Sequence, residues 1–460
     1  MSFQFIEGGA GTGKTTTVIA RLREFLVVSP LSEHQRVLAL TKMHGSRRRI
    51  HDRLRSITGL NGRFESVTLD SFAWRVLCRW RSLDRSLGHM DLPADFNASC
   101  DRAGCLLEMP VVQSWVAASF PVVIVDELQD SKMGQLRLLQ GLRGRCTCIA
   151  AGDPFQDLEG DETCQSIEWA RRMCTPTVLS VTHRTTNAGL IGAASELRSA
   201  NAVTVSNGFA LEGGIAPALA AWKVAATLSK WRALGSVAVI SPVKARSSPF
   251  VRSVVDRVND PKRFATQWWP TGSFNLRWEA AEDDDVELIC RALSLPDDEQ
   301  ALVRPDELSF SDEPRALRLR DWMRRQRSLR GRVEFTAGDI RLAVKSVIQQ
   351  GRSFAGAGDR RLAAMSIHQA KNREFDRVIV LWPYEVSGSD ERKRRLAYNA
   401  ITRARHEALV IVQGEGREKQ SPFVPEQSRV AEDAVGVPAT VTSDAVKPKG
   451  KRPRRKRSGS

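Results

Sequence analysis

Gly8-Gly9-Ala10-Gly11-Thr12-Gly13-Lys14-Thr15 sets four glycines ahead of a lysine and a hydroxyl residue. That combination suits a polyphosphate. Glycines let backbone N–H groups come close to the anion, and a following helix turns its positive end toward it. Gly8 to Thr16 would form the cradle, Lys14 would reach the β- and γ-oxygens, and the Thr15 hydroxyl would ligate Mg²⁺. A second group lies downstream, in Pro121-Val122-Val123-Ile124-Val125-Asp126-Glu127. Here Asp126 is placed to hold Mg²⁺ and Glu127 to polarise an attacking water. Together the two stretches spell out phosphoryl transfer to water, which depends on positioning and charge neutralisation more than on covalent chemistry.

These groups need elements to hold them. Phe3-Gln4-Phe5-Ile6 reads as a short buried strand, and Thr15 to Val28 reads as an amphipathic helix with Val18, Ile19, Leu22, Phe25 and Leu26 on one side. Strand, glycine loop and helix then follow in the order that a phosphate cradle requires. The run Val122–Val125 is apolar throughout, as expected of a parallel strand covered on both faces, with its acids at the carboxyl end where such sheets bind ligands.

Composition bounds the remainder. The chain has 460 residues, 42% of them hydrophobic, enough for about two to four domains. Its formal charge of +16 points to a polyanionic partner. Half of that charge comes from Lys447, Lys449, Lys451, Arg452, Arg454, Arg455, Lys456 and Arg457. The segment from about Gly416 lacks apolar periodicity and reads as a disordered tail that binds nucleic acid non-specifically, or else as a merely solubilising one. The eight cysteines show no C-x-x-C spacing, so no zinc or iron–sulfur site is expected. Cys146 and Cys148 alternate within an apolar run and read as strand residues. With neither a signal segment nor an apolar run of membrane-spanning length, the chain is expected to be cytoplasmic, with no membrane partner.

The residues that follow Glu127 narrow the class. Asp126-Glu127-Leu128-Gln129-Asp130 resembles the D-E-x-Q-D signature of superfamily 1 helicases of the UvrD/Rep/PcrA-like branch. Further stretches line up in that family's order. Leu38 to Ile50, around Thr41-Lys42, resembles motif Ia, and Thr68-Leu69-Asp70-Ser71-Phe72-Ala73 resembles motif Ib. Gly152-Asp153-Pro154-Phe155-Gln156 resembles motif III, and Thr182-His183-Arg184-Thr185 resembles motif IV. Ser366 to Phe375 is similar to motif V, and Arg395 to Ala404 to motif VI. The resemblance implies an α/β fold of two RecA-like domains with ATP and Mg²⁺ between them. It implies that Arg184 and Arg403 reach the γ-phosphate, that Gln156 senses it, and that Gln129 links hydrolysis to domain movement. Glu374 would contact the ribose. Thr41, Phe72, His368 and Lys371 would meet the DNA strand, His368 and Lys371 also coupling it to the nucleotide. By the same resemblance, residues 1–178 form domain 1A with a reduced 1B insertion at about 74–120. Residues 179–259 and 351–416 form domain 2A, 260–350 a reduced 2B-like insertion, and 417–460 a basic tail.

The chain also departs from the family pattern. Only seven residues precede Gly8, too few for the adenine-reading Q motif, so base specificity stays open. Leu40 stands where an aromatic is common, Asp70 replaces a histidine and Asn372 replaces the glycine of motif V. Acids follow Gln156 where the relatives carry aromatics. The basic stretch Arg315 to Arg332, with Trp322 inside it, reads equally as a duplex-following face or a solvated helix. Two functional readings result. One is an ATP-dependent DNA helicase or translocase moving 3′ to 5′ on single-stranded or partly duplex DNA. The other is a DNA- or partner-regulated ATPase subunit of a nuclease or defence complex, with little unwinding. A nucleotide-gated binding module without turnover fits poorly with an intact Glu127, Arg184 and Arg403.

Overall fold

The structure, a computed structural model, describes residues 2–42, 44–90, 92–93, 95–143, 145–158, 164–260, 274–279, 282–354 and 361–425. In the amino-terminal part, six strands form one sheet: β1 (Phe3–Gly8), β2 (Val37–Thr41), β3 (Phe64–Thr68), β4 (Val122–Val125), β5 (Thr147–Gly152) and β6 (Thr177–Leu179). Their order is β3-β2-β4-β5-β1-β6, and every pairing is parallel. The helices are α1 (Lys14–Val28), α2 (His44–Arg55), α3 (Leu69–Arg79), α4 (Arg81–Ser86), α5 (Phe96–Leu107), α6 (Pro110–Ser119), α7 (Met133–Arg143) and α8 (Gln165–Met173). Successive strand residues point to opposite faces, so both faces carry core. Leu38, Leu40, Val123, Val125 and Ala150 pack under α3 and α5–α8, while Val37, Ala39, Val122, Ile124 and Ala151 pack under α1 and α2. This two-sided covering is what an uninterrupted apolar strand such as β4 requires.

Residues 74–120, expected as a reduced insertion, are built into that same layer. Val76, Leu77, Ala103, Leu106, Leu107, Val112 and Val116 are buried together with the sheet residues. Their apolar faces have no other core to serve, so the segment stays on the sheet. Strand β6 runs through Leu179 beside β1, one residue past the expected domain limit.

A second sheet contains β7 (Phe209–Glu212), β8 (Val237–Ser241), β11 (Leu362–Ser366), β12 (Phe375–Trp382) and β13 (Ala404–Val412), in the order β11-β8-β12-β13-β7 and again parallel. It packs with α9 (Ala188–Ser199), α10 (Pro217–Trp231), α11 (Pro249–Asn259), α15 (Ile367–Ala370) and α16 (Asp390–Ile401). Between β8 and β11 the chain forms a small unit from α12 (Glu282–Ala292), β9 (Leu302–Val303), α13 (Pro314–Arg330), β10 (Phe335–Thr336) and α14 (Ala337–Phe354). It has its own core, including Leu293, Leu319, Met323, Phe335 and Ile340, and the Trp322 ring lies 5.4 Å from that of Phe335. Among the described residues no helix is long and apolar enough to cross a membrane. The acids Glu159, Asp161 and Glu162 lie outside the described residues. The tail expected from about Gly416 is described as far as residue 425, and there it is not a free tail, since Phe423 is buried against Trp382 with ring centroids 5.4 Å apart. Residues 426–460 lie outside the described residues.

Candidate nucleotide site between the two sheets

The glycine loop joins β1 to α1 at the carboxyl edge of the first sheet. Gly11 and Gly13 have φ of 74° and 85°, the left-handed region that glycine enters without strain. A Cβ on Gly11 would sit 2.4 Å from the Arg184 Cβ, so the second domain's backbone can close on the loop only at a glycine. There the His183 N–H donates to the Gly11 carbonyl at 2.7 Å, and the Thr182 hydroxyl to that of Ala10 at 3.3 Å. Lys14 is buried and donates to the carbonyls of Gly8 (2.9 Å) and Gly9 (3.0 Å). The loop is thus folded around its own lysine.

Asp126 and Glu127 follow β4, as an edge site requires. The Thr15 hydroxyl lies 3.5 Å from Asp126 Oδ2, while the buried Oδ1 has no hydrogen-bond partner. Burial, with Glu127 alongside, pushes the Asp126 carboxyl up to about 6. A hydroxyl beside a buried carboxylate with an orphaned oxygen is a donor set that fits a divalent cation such as Mg²⁺. Glu127 occupies a left-handed backbone position at φ 58°. Its Oε2 accepts from Gln129 Nε2 at 2.6 Å, and Gln129 Oε1 accepts the Asp153 N–H at 3.0 Å. Burial pushes the Glu127 carboxyl up, but Lys14, Lys371 and the Gln129 hydrogen bond more than offset it and hold it near 2. At neutral pH it is a carboxylate, able to accept a proton from water.

The second sheet supplies the opposing charges. Arg184 pairs with Glu374 at 2.9 Å and donates to the Thr402 carbonyl at 2.8 Å. Arg403, at the end of α16, is 3% exposed and donates to the Asn399 carbonyl at 3.0 Å. Burial and the neighbouring Arg184 lower its guanidinium to about 10. Two guanidiniums held this close and this dry are a receptor for an anion. Gln156 is buried, and its carbonyl accepts from Lys371 at 3.3 Å. Thr16, the last cradle residue, is exposed and accepts from Arg53 at 2.9 Å.

Three of the positions expected to meet DNA, and the one expected to meet ribose, have other surroundings. Phe72 is fully buried and stands edge-on to Phe120, with ring centroids 6.3 Å apart, so it packs the core and offers no face to a base. The reason lies in α3, where Leu69, Phe72, Ala73, Val76 and Leu77 make one apolar stripe turned to the sheet. Lys371, expected on the strand path, forms an ion pair with Asp130, and both side chains are under a tenth exposed. Burial disfavours its charge, but Asp130 and Glu127 outweigh that and hold it protonated. It therefore ties the two domains together. Thr41 is buried at the end of β2, whereas His368 is exposed. Glu374 sits between Arg184 and Arg405, the latter at 3.1 Å, which keep its carboxyl below the usual range against the effect of burial. Asp70, the histidine replacement, accepts from Gln135 of α7 at 3.0 Å and so joins two helices.

Other groups at this junction carried little signal in the sequence. Tyr398 accepts the Ala10 N–H at 2.8 Å and stands edge-on to Phe155, centroids 5.1 Å apart. Arg198 of α9 pairs with the fully buried Asp153 at 2.8 Å. A cleft of about 270 Å³ opens beside the loop, bordered by Gly8, Ala10, Leu190, Arg198, Tyr398 and Thr402. Tyr398 lies within the motif VI stretch, but nothing local marks Arg198, whose partner is 45 residues away.

Two family models match the chain at these places. One, described as an AAA domain, covers residues 2–160 and with them the loop, Asp126, Glu127 and Gln156. The other, the UvrD-like helicase C-terminal domain, covers residues 361–411, from Lys371 and Glu374 to Arg403. No curated protein matches the chain. The matches imply a nucleotide-binding, ATP-hydrolysing enzyme, and each falls on one of the two sheets that meet at the glycine loop. These matches, one on each sheet, support a UvrD/Rep-like superfamily 1 helicase.

Proposed function

We propose that this protein hydrolyses ATP between its two sheets to drive movement along single-stranded DNA, in the 3′ to 5′ direction of the helicase family it resembles. The observation that carries the reading is the division of the site. Lys14, Thr15, Asp126 and Glu127 stand on the first domain, and Arg184 and Arg403 on the second. A triphosphate held by both would make turnover depend on their approach, which is how hydrolysis is turned into motion. Thr15 and Asp126 would hold Mg²⁺, which when bound neutralises charge on the phosphate oxygens. Glu127 accepts the proton of the attacking water, with Gln129 fixing its orientation from the chain that leads to Asp153. Arg184 and Arg403 meet the negative charge that the γ-phosphate carries through the reaction.

A second reading has an observation of its own. With Phe72 in the core and Lys371 in an ion pair, two of the residues expected on the strand path are committed elsewhere. A regulated ATPase subunit with little unwinding would need neither of them. Steady-state ATP turnover with and without single-stranded DNA, followed by unwinding of duplexes with a 3′ or a 5′ overhang, separates the two. DNA-stimulated turnover with unwinding from the 3′ overhang supports the translocase. Turnover indifferent to DNA, with no unwinding, supports the regulated ATPase.

A further inference from the structure

Asn372 stands where the family's motif V carries glycine, and the structure gives that departure a partner. Its φ is 66°, a left-handed conformation that glycine and asparagine tolerate best. Glycine would satisfy the backbone equally well, so what asparagine adds is its amide. The Asn372 Oδ1 accepts from Arg49 Nη2 at 2.9 Å, across the gap between the domains.

Arg49 lies on α2, one turn before Arg53 and on the same face. Arg53 reaches Thr16 in the first turn of α1 at 2.9 Å. This face of α2 therefore reaches from the residue after Thr15 to the segment Lys371–Glu374 of the second domain. Arg49 is exposed there, and its charge is felt by Asp126, Glu127 and Glu374, three acids that border the site. Its partner Asn372 is neutral, so the hydrogen bond aims the guanidinium without neutralising it. A guanidinium so placed suits the oxygens of a polyphosphate.

We propose that Arg49 is a further nucleotide-contacting residue, binding the polyphosphate of the nucleoside triphosphate from the first domain, and that Asn372 is the residue that positions it. The inference rests on the reading that a nucleoside triphosphate binds between the two sheets. Arg49 joins Arg184 and Arg403 as a third arginine, serving ground-state capture more than the chemical step because it is exposed whereas Arg403 is buried.

The test uses the full chain, with steady-state hydrolysis of MgATP and titration with a fluorescent ATP analogue. Arg49→Ala is expected to raise KM and the analogue Kd about tenfold while kcat stays within about twofold. Arg49→Lys, which keeps the charge, should stay within about threefold of wild type. Asn372→Gly removes the side chain that holds Arg49 and relaxes the backbone, so the thermal midpoint should not fall; KM should rise about threefold. In the double variant, the loss should be no greater than in Arg49→Ala alone, because Asn372 acts through Arg49. Wild-type KM and analogue affinity in Arg49→Ala would overturn the contact, and additive losses would overturn the positioning. A wild-type chain that neither binds the analogue nor hydrolyses ATP would overturn the site reading itself, and this inference with it.

Discussion

Glu127 combines an ionised carboxylate with a backbone conformation that few non-glycine residues adopt, and both follow from its neighbours. Lys14 and Lys371 favour the charge, and the Gln129 amide fixes one oxygen while itself held by the Asp153 N–H. Left-handed strain of this kind costs on the order of 1 kcal/mol and persists where the surroundings over-determine it. Glu127→Gln keeps the shape and removes the proton acceptor. It should bind a fluorescent ATP analogue as wild type does, while kcat falls by roughly 10²–10⁴; near-normal turnover would exclude Glu127 as the base. At this scale the sequence was informative wherever spacing along the chain is the chemistry. Lys14, Thr15, Asp126 and Glu127 were readable because loop and strand end set their positions locally. Asp153 and Tyr398 fall inside motif stretches, but their meeting through Arg198 was not readable, because it depends on two sheets docking across some 245 residues of chain.

At the scale of elements, α3 shows how the packing of a helix can place a motif residue in the core. Leu69, Phe72, Ala73, Val76 and Leu77 repeat at the i, i+3, i+4 spacing of a core-facing stripe, which turns Phe72 to the interior. Phe72→Ala should therefore act on stability, by about 3–5 kcal/mol in denaturant unfolding. DNA affinity measured under fully folded conditions should not change; a selective loss of DNA binding would restore Phe72 to the strand path. The expected insertion at 74–120 makes the same point, since its helices find their core on the first sheet. Within it, α4 is anchored by Asp84, whose side chain is 1% exposed and meets Arg81 (2.8 Å), His89 (2.9 Å) and Arg102. Burial pushes the Asp84 carboxyl up, but these partners outweigh it and hold the group below its ordinary value. A lowered carboxylate stabilises the fold above its unfolded pKa of 3.8, and that contribution is lost only as pH falls further, through the folded value. Asp84→Ala should cost about 2–3 kcal/mol at neutral pH, and the deficit relative to wild type should shrink in acid. A deficit that is unchanged down to pH 2 would contradict the ion-pair account.

At the scale of the molecule, the two parallel sheets were legible because each is announced by apolar strands and a motif at its edge, and their mutual contacts were not. Lys371 to Asp130, Arg198 to Asp153 and Arg49 to Asn372 all cross between the domains. Each links a residue of the nucleotide motifs, or one beside them, to the opposite domain. Separating the domains would break the Lys371–Asp130 pair and leave two nearly dry charges to be rehydrated, so the pair favours the docked arrangement. Deleting Lys447–Ser460 removes eight positive charges, which should weaken DNA binding and flatten the log–log salt slope on single-stranded DNA by up to about six units. Basal ATP turnover should be unaffected. An unaltered slope would assign those charges to a partner other than DNA.

The central claim is that one ATP site is made by both sheets. Its most direct test is the kcat for ATP hydrolysis of Lys14→Ala and Arg403→Ala beside wild type, with thermal unfolding confirming that each variant is folded. The account predicts that both lose about 10³-fold or more, although the two residues stand on different domains. An Arg403→Ala variant that is folded and turns over like wild type would contradict it, because hydrolysis would then need only the first domain.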